Sequence, residues 1–221
     1  MKKLLMMMMS LAMVMMLAGC GGDSQKKLVI GLDDNFAPMG FRNDKNEIVG
    51  FDIDLAREAC KRLNMEVEFK PIDWGAKEAE MKSKRIDAIW NCFTVNEERE
   101  KTYGLSEPYI VNSQLLVVPA GSDIKTKAER ADKAAAYMDL DNKRVDVMIV
   151  DAVLARYYDQ KNPGKYTILD ENMGDEVVAV AFRKDDNELR EKFNKALAEM
   201  KKDGTCKKIS EKWMGADITK Y

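Results

Sequence analysis

Reactive side chains are unevenly supplied in this 221-residue sequence. There is no histidine, which removes the commonest general base, the usual serine triads and most zinc sites together. Carboxylates are plentiful, 38 Asp and Glu against 36 Lys and Arg, so acid–base work is open in principle, yet no paired-carboxylate motif points to it. Of the four cysteines, Cys60, Cys92 and Cys206 are isolated, odd in number and without metal-ligand spacing, and they read as small buried residues. No metal or cofactor is expected. Cys20 stands apart because of what precedes it. Lys2 and Lys3 lead an uncharged run from Leu4 to Leu17, dense in Met and Leu, that ends in Leu17-Ala18-Gly19-Cys20. Small residues suit the narrow, extended substrate of a signal peptidase, and the thiol behind them can carry a thioether-linked lipid. The run is shorter than the about 20 apolar residues of a membrane-spanning helix, which makes an uncleaved anchor the weaker alternative.

Residues 1–19 are thus read as a signal segment and 20–26 as a flexible polar tether. About 200 residues remain, enough for one large domain or two small lobes. The net charge of −2 and the lack of a basic cluster interleaved with aromatics argue against nucleic acid. Short β-rich runs alternate with helical patterns, the mark of an α/β sheet. Strands are expected at Leu28–Leu32, Ile48–Phe51, Val67–Ile72 and Ile86–Trp90. Between them, Leu55, Ala56, Ala59, Cys60 and Leu63 fall on one face of a helix over Asp52–Leu63 that Asp52 or Asp54 can cap, and a polar helix follows at Gly75–Lys84. Farther on, a long strand is expected over Tyr109–Val118, an Ala-rich helix around Ala134–Leu140, a strand at Val145–Val150 and a helix from Asp151 to Asp159. A short strand at Tyr166–Leu169, another at Val177–Phe182 and two closing helices complete the chain, one over Asp186–Lys202 and one carrying Ile209 and Trp213.

The tetrad at Cys20 resembles the bacterial lipoprotein box. Gly50-Phe51-Asp52-Ile53-Asp54-Leu55 with Ala59-Cys60 and Leu63, Arg85-Ile86-Asp87-Ala88-Ile89, Thr94 with Arg99, Ser106-Glu107-Pro108-Tyr109, Asp203-Gly204-Thr205 and Glu211-Lys212-Trp213-Met214-Gly215 resemble, in that order, the polar amino-acid binding proteins of ABC importers (bacterial extracellular solute-binding protein family 3). The resemblance implies a two-lobed periplasmic-binding-protein-like fold of type II, with 27–112 plus 184–221 as lobe 1 and 113–183 as lobe 2, closing on one solute between them. It implies a monomer, a polar amino acid and a transporter permease as partners, and no enzymatic activity.

On that pattern Arg99 is the cation for the ligand carboxylate, its planar fork able to bond both oxygens. Taken alone, Arg99 reads as a surface residue among Glu97, Glu98 and Glu100. Asp151 matches the ammonium-binding carboxylate, although its position at a strand end would equally justify a plain helix cap. Asp33, Phe36 and Trp74 match the remaining first-lobe positions, the aromatics enclosing the aliphatic part of the ligand and Asp33 near its side-chain end. Asn91 and Cys92 stand where backbone groups are the expected contacts, beside Thr94.

One departure separates this chain from the family pattern. Relatives follow the crossing strand with a further strand and a Gly-Ser/Thr turn that opens a helix, whereas this chain has only PAGSDIKTKAERADK between Val118 and Ala134, too short for such a unit of about 30 residues. Lobe 2 is therefore expected to be shortened, with weakened or lost ligand binding as the alternative function, and with apolar edges at Leu115–Val118 or Val177–Phe182 left unpaired. A dehydratase-like enzyme on the same scaffold is the remote alternative. At the membrane, Cys20→Ser is expected to move the protein from the membrane fraction to the soluble one, because the lipid supplies most of the affinity. A variant that stays on membranes through salt washing would overturn the anchor.

Overall fold

The computed structural model describes residues 26–125 and 140–219. Cys20 with its signal segment and most of the Ala-rich helix expected near 134–140 lie outside the described residues. The first strand, β1 (Lys27–Leu32), alternates so that Leu28, Ile30 and Leu32 are fully buried. Three short strands follow, β2 (Asn35–Phe36), β3 (Gly40–Arg42) and β4 (Ile48–Val49), and form a small antiparallel sheet of their own.

Helix α1 (Phe51–Arg62) buries Phe51, Asp52, Ile53, Leu55, Ala56, Ala59 and Cys60, the expected face extended by the first three. The expected cap is corrected. Neither Asp52 nor Asp54 caps the helix; Gly50 occupies the cap position without a side-chain bond. Its φ of 145° and the 2.2 Å separation between a hypothetical Cβ and the Met39 carbonyl oxygen leave room only for glycine. Both aspartates are drawn to tertiary partners instead. Asp54 accepts from Trp213 Nε1 at 2.8 Å and Lys212 Nζ at 2.6 Å, tying α1 to the C-terminal helix. Asp52 is wholly buried and accepts from the Cys92 N–H at 2.7 Å and the Tyr109 hydroxyl at 2.8 Å.

Next come β5 (Glu66–Pro71), a single 3-10 turn at Trp74–Ala76 and α2 (Lys77–Lys82), a shorter helix than the polar pattern suggested. β6 (Ala88–Thr94) runs four residues past Trp90, where the expected strand stops, so Asn91, Cys92 and Thr94 sit on the strand itself. After α3 (Glu97–Thr102) and β7 (Gly104–Leu105), the chain enters β8 (Ile110–Pro119), then β9 (Met148–Asp151), α4 (Ala152–Lys161) and β10 (Tyr166–Phe182). The two strands expected at Tyr166–Leu169 and Val177–Phe182 are one continuous strand of 17 residues whose register shifts around Asn172. The polar stretch between them stays extended because β8 supplies a ladder partner along its length. Helices α5 (Asn187–Lys202) and α6 (Thr205–Met214) close the chain.

Among the described residues the strands assemble into one seven-stranded sheet ordered β5-β1-β6-β10-β8-β9, with β7 also pairing β10. β1 is parallel to β5 and β6, and β10 is antiparallel to both β6 and β8. The segment Val178–Phe182, expected with lobe 2, pairs with β6 and packs among Leu28, Phe51, Trp90 and Phe193 in the larger core. A second core under α4 gathers Leu115, Val117, Met148, Ala152 and Tyr166. The expectation of unpaired apolar edges is also corrected: Leu115–Val117 lie between β9 and β10, and Val177 and Val178 pair with β8.

Asp52 sets a pH dependence. Its two hydrogen bonds favour the carboxylate, but burial outweighs them and pushes its pKa up to about 7 from 3.8. An acid with a raised folded-state pKa stabilises fully below its ordinary value and loses that contribution as pH rises through the folded value. Urea unfolding is expected to show wild-type stability falling between about pH 5 and pH 8 by roughly 2–3 kcal/mol more than that of Asp52→Asn, at about 1.4 kcal/mol per pKa unit. Parallel curves for the two proteins would show that Asp52 does not titrate in this range.

Candidate functional site

A cluster of polar groups lies at the C-terminal ends of β1 and β6, facing the first half of β8 with its neighbours β9 and β10. A cavity of about 370 Å³ opens there, lined by Asp33, Phe36, Trp74, Asn91, Cys92, Thr94, Arg99, Gln114, Asp151 and Glu176. All eight ligand-site residues picked from the sequence are in that lining. Cys20 lies outside the described residues.

Arg99 is placed by the loop after β6. Asn96 caps α3, its Oδ1 accepting the Arg99 N–H at 2.9 Å, which sets the arginine in the first turn and turns its side chain back over the strand end. The guanidinium lies 4.1 Å from the centre of the Phe93 ring, and Nη1 donates to the Thr94 carbonyl at 2.6 Å. A half-buried guanidinium held by a ring face and one carbonyl differs from the surface arginine that its Glu-rich neighbourhood suggested. Burial lowers its pKa from the ordinary value, while nearby Glu176 and Glu98 oppose that shift. Its remaining N–H groups have no protein partner among the described residues, so the fork is free to take a carboxylate.

The floor is made by Asn91 and Cys92. Asn91 Oδ1 accepts the Asp33 N–H at 2.7 Å, fixing the turn after β1, while its buried Nδ2 has no partner among the described residues. Cys92 takes a left-handed φ of 50°, and its N–H points to Asp52 rather than into the cavity. Burial foremost, then the charges of Asp52, Asp151 and Glu176, pushes the thiol well above its usual value, so it stays a neutral, unreactive wall. Trp74 meets Phe93 edge-on at 6.0 Å and packs partly on the cluster of Met81 and Ile86, so it serves the core and the cavity at once. Phe36 is half-buried beside the larger core.

The opposite wall comes from three adjacent strands. On β8, Asn112 and Gln114 are two residues apart and share a face; register sets Glu176 of β10 opposite Asn112, and Asp151 of β9 opposite Gln114. Asn112 Nδ2 donates to Asp151 Oδ1 at 2.6 Å and to Glu176 Oε1 at 2.7 Å. Gln114 Nε2 bridges the same two oxygens at 2.8 and 3.2 Å. Asp151 occupies the cap position of α4 but makes no capping bond, so the plain-cap alternative fails. Burial raises its pKa above the usual value and Glu176 adds to the rise, against the lowering effect of the two amides. Sequence reasoning missed Gln114 and Glu176. The available signal for Gln114 was the polar run Asn112-Ser113-Gln114 at the head of an otherwise apolar strand, in which alternation puts Asn112 and Gln114 on one face.

The cavity therefore presents a guanidinium at one side and two coupled carboxylates at another, with Asp33 and two aromatics between, an arrangement suited to a small zwitterion with a polar side chain. Comparison with known proteins agrees in kind. The family model for bacterial extracellular solute-binding proteins, family 3, matches residues 28–216. The L-cystine-binding protein of Escherichia coli K12 is 31% identical over 224 residues, covering 87% of this chain and 84% of the relative. The histidine-binding periplasmic protein of Salmonella typhimurium is 32% identical over 232 residues, covering 87% and 89%. Among solved structures, an ABC uptake transporter substrate-binding protein of Streptococcus pneumoniae with bound histidine superposes with a TM-score of 0.79 at 30% identity, covering 88% of this chain and 95% of that one. The α/β fold is thus the two-lobed, type II periplasmic-binding-protein architecture. With the match spanning its sheet, its cavity and both closing helices, the chain belongs to the bacterial extracellular solute-binding proteins, family 3.

Proposed function

We propose that this protein captures a polar amino acid outside the cytoplasm and delivers it to the permease of an ABC importer, held at the membrane by a lipid on Cys20. The observation that carries the reading is the separation of charge across one cavity: Arg99, with N–H groups unpartnered among the described residues, on the β6 side and Asp151 with Glu176 on the β8–β10 side. Arg99 takes the carboxylate, the carboxylate pair takes the ammonium group, and Phe36 and Trp74 enclose the aliphatic part. Asp33 meets the side-chain end. Three carboxylates against one guanidinium leave the lining acidic, which favours a cationic side chain over an amide. The lobes close about the crossing strands β8 and β10, the boundary lying near Asn112–Gln114 and Glu176–Val178. No residue pair in the lining is arranged as a nucleophile with a base, so capture rather than turnover is the activity proposed.

The second half is shortened in this reading. The alignment to the E. coli relative extends over 224 positions while containing 87% of this chain, so the relative carries residues within the aligned region that this chain lacks, in keeping with a shortening. Binding persists because the described wall of β8, β9 and β10 is complete around Asp151, and Glu176 adds a carboxylate to it. Truncating one member of a desolvated ion pair costs roughly 2–5 kcal/mol. Arg99→Ala and Asp151→Ala are each expected to weaken binding of L-arginine or L-lysine at least tenfold in titration calorimetry, while exposed Lys202→Ala leaves it unchanged. Equal losses in all three variants would place the site elsewhere, and no heat from any standard amino acid with the wild type would sink the capture reading.

A further inference from the structure

Two acidic side chains pressed together on the same pair of amides pose a charge problem in the empty protein. Asp151 Oδ1 and Glu176 Oε1 each accept from both Asn112 Nδ2 and Gln114 Nε2, so the two oxygens are held close by four donor contacts of 2.6–3.2 Å. The amides are neutral, and strand register on both sides of β8 places the two acidic residues beside the same amide pair. Like charges held this close disfavour simultaneous ionisation. The other groups facing the pair do not remove the conflict. Arg99, from α3, is the cation on the lining, but its side-chain hydrogen bond goes to the Thr94 carbonyl and its ring contact to Phe93. Cys92, from β6, is a neutral thiol, and Asp33, after β1, adds negative charge.

We propose that Asp151 and Glu176 hold one proton between them in the ligand-free protein and exchange it for the ammonium group of the incoming amino acid, so that capture releases a proton. The inference rests on the amino-acid reading above. The balance is simple: the ligand arrives as R–NH3⁺, the pair gives up its H⁺ to solvent, and two carboxylates then face one fixed cation. No covalent bond to carbon, sulfur or nitrogen changes. The pair thereby acts as a proton-sensitive lock. Below the range in which it ionises, a ligand must displace the proton at a cost in affinity; above it, the site is open. The raised pKa of Asp151, to which burial contributes first and Glu176 adds by charge and by carboxyl–carboxylate hydrogen bonding, is in accord with this.

The test has two arms on the whole chain. In the first, carbon-13 NMR of side-chain carboxyls in the ligand-free protein is expected to show Asp151 titrating above the usual carboxylate range and falling back toward it in Glu176→Gln, where an amide replaces the second acid. Asp151 titrating in the ordinary range in the wild type would overturn the shared proton, whether or not any amino acid binds. In the second, calorimetry with L-arginine in two buffers of different ionisation enthalpy is expected to show a substantial fraction of one proton released per ligand, and affinity weakening toward tenfold per pH unit below the pair's range. Glu176→Gln should reduce both the release and the pH slope severalfold. Arginine binding with no proton release and a flat pH profile would overturn the exchange while leaving amino-acid capture intact. Failure of arginine and lysine to bind at any pH would instead overturn the cationic-ligand reading and the exchange with it, leaving the NMR arm to decide the shared proton.

Discussion

Strand β10 changes partner along its length, and the cavity depends on that change. Over Tyr166–Val178 it pairs with β8; over Val178–Phe182 it pairs with β6 and β7. A strand with partners on both sides cannot slip by one residue without turning Val178, Val180 and Glu176 together to the other face. The same register therefore fixes Val178 and Val180 in the larger core and Glu176 at the cavity wall. β8 does the equivalent from the other side. Its apolar half, Leu115–Val118, is buried between β9 and β10, while its polar pair, Asn112 and Gln114, faces the lining two residues apart.

A second constraint links the cavity floor to the core. Asp52 is the one carboxylate among the fully buried described residues, and its two bonds join α1 to Cys92 on β6 and to Tyr109 at the entrance of β8. A neutral residue of similar shape would relieve the desolvation of that carboxylate, yet it would also leave the left-handed turn at Cys92 with a different acceptor. The arrangement trades stability at neutral pH for a floor whose backbone N–H is committed elsewhere. Asn91 is committed in the same way through its Oδ1, leaving Arg99 as the cation whose donors are largely free.

Much of this was legible in the sequence because local pattern and tertiary context agree in the first half. The period of Leu55, Ala56, Ala59 and Cys60 gave the right helix, and the strand at Leu28–Leu32 differs from its observed span by one residue. The first-lobe candidates reach one cavity because the ends of the parallel strands β1, β5 and β6 and the loops behind them gather at one edge, while Asp151 arrives from the antiparallel β9 opposite. What failed did so for tertiary reasons. Asp52 and Asp54 have the composition of helix caps, but Cys92, Tyr109 and Trp213, all distant in sequence, compete for them and win. Asp170 to Glu176 looks like a turn, being polar with a glycine, and becomes strand because β8 supplies its hydrogen bonds. Glu176 was missed for that reason: a residue read as loop is not assigned a face.

The proposed shortening of the second half raises the question of what drives closure. A ligand shifts a two-lobe protein toward the closed state only through contacts stronger in that state than in the open one. In the family pattern some of those contacts are backbone N–H groups at a helix start, which favour a carboxylate. Here the described wall offers the reverse polarity, two carboxylates under two amides, so the differential contact shifts from the ligand's carboxylate to its cationic end. Arg99 lies on the first half and Glu176 on a crossing strand, close enough for Glu176 to oppose the lowering of the arginine's pKa. In the proposed capture, a zwitterion placed between them would separate those opposite charges and satisfy each, so the force drawing the halves together would be electrostatic and strongest when water is excluded. Desolvation would otherwise penalise all four charged groups of the lining, and only a ligand carrying at least one cationic and one anionic end can offset that penalty on both sides of the cavity at once.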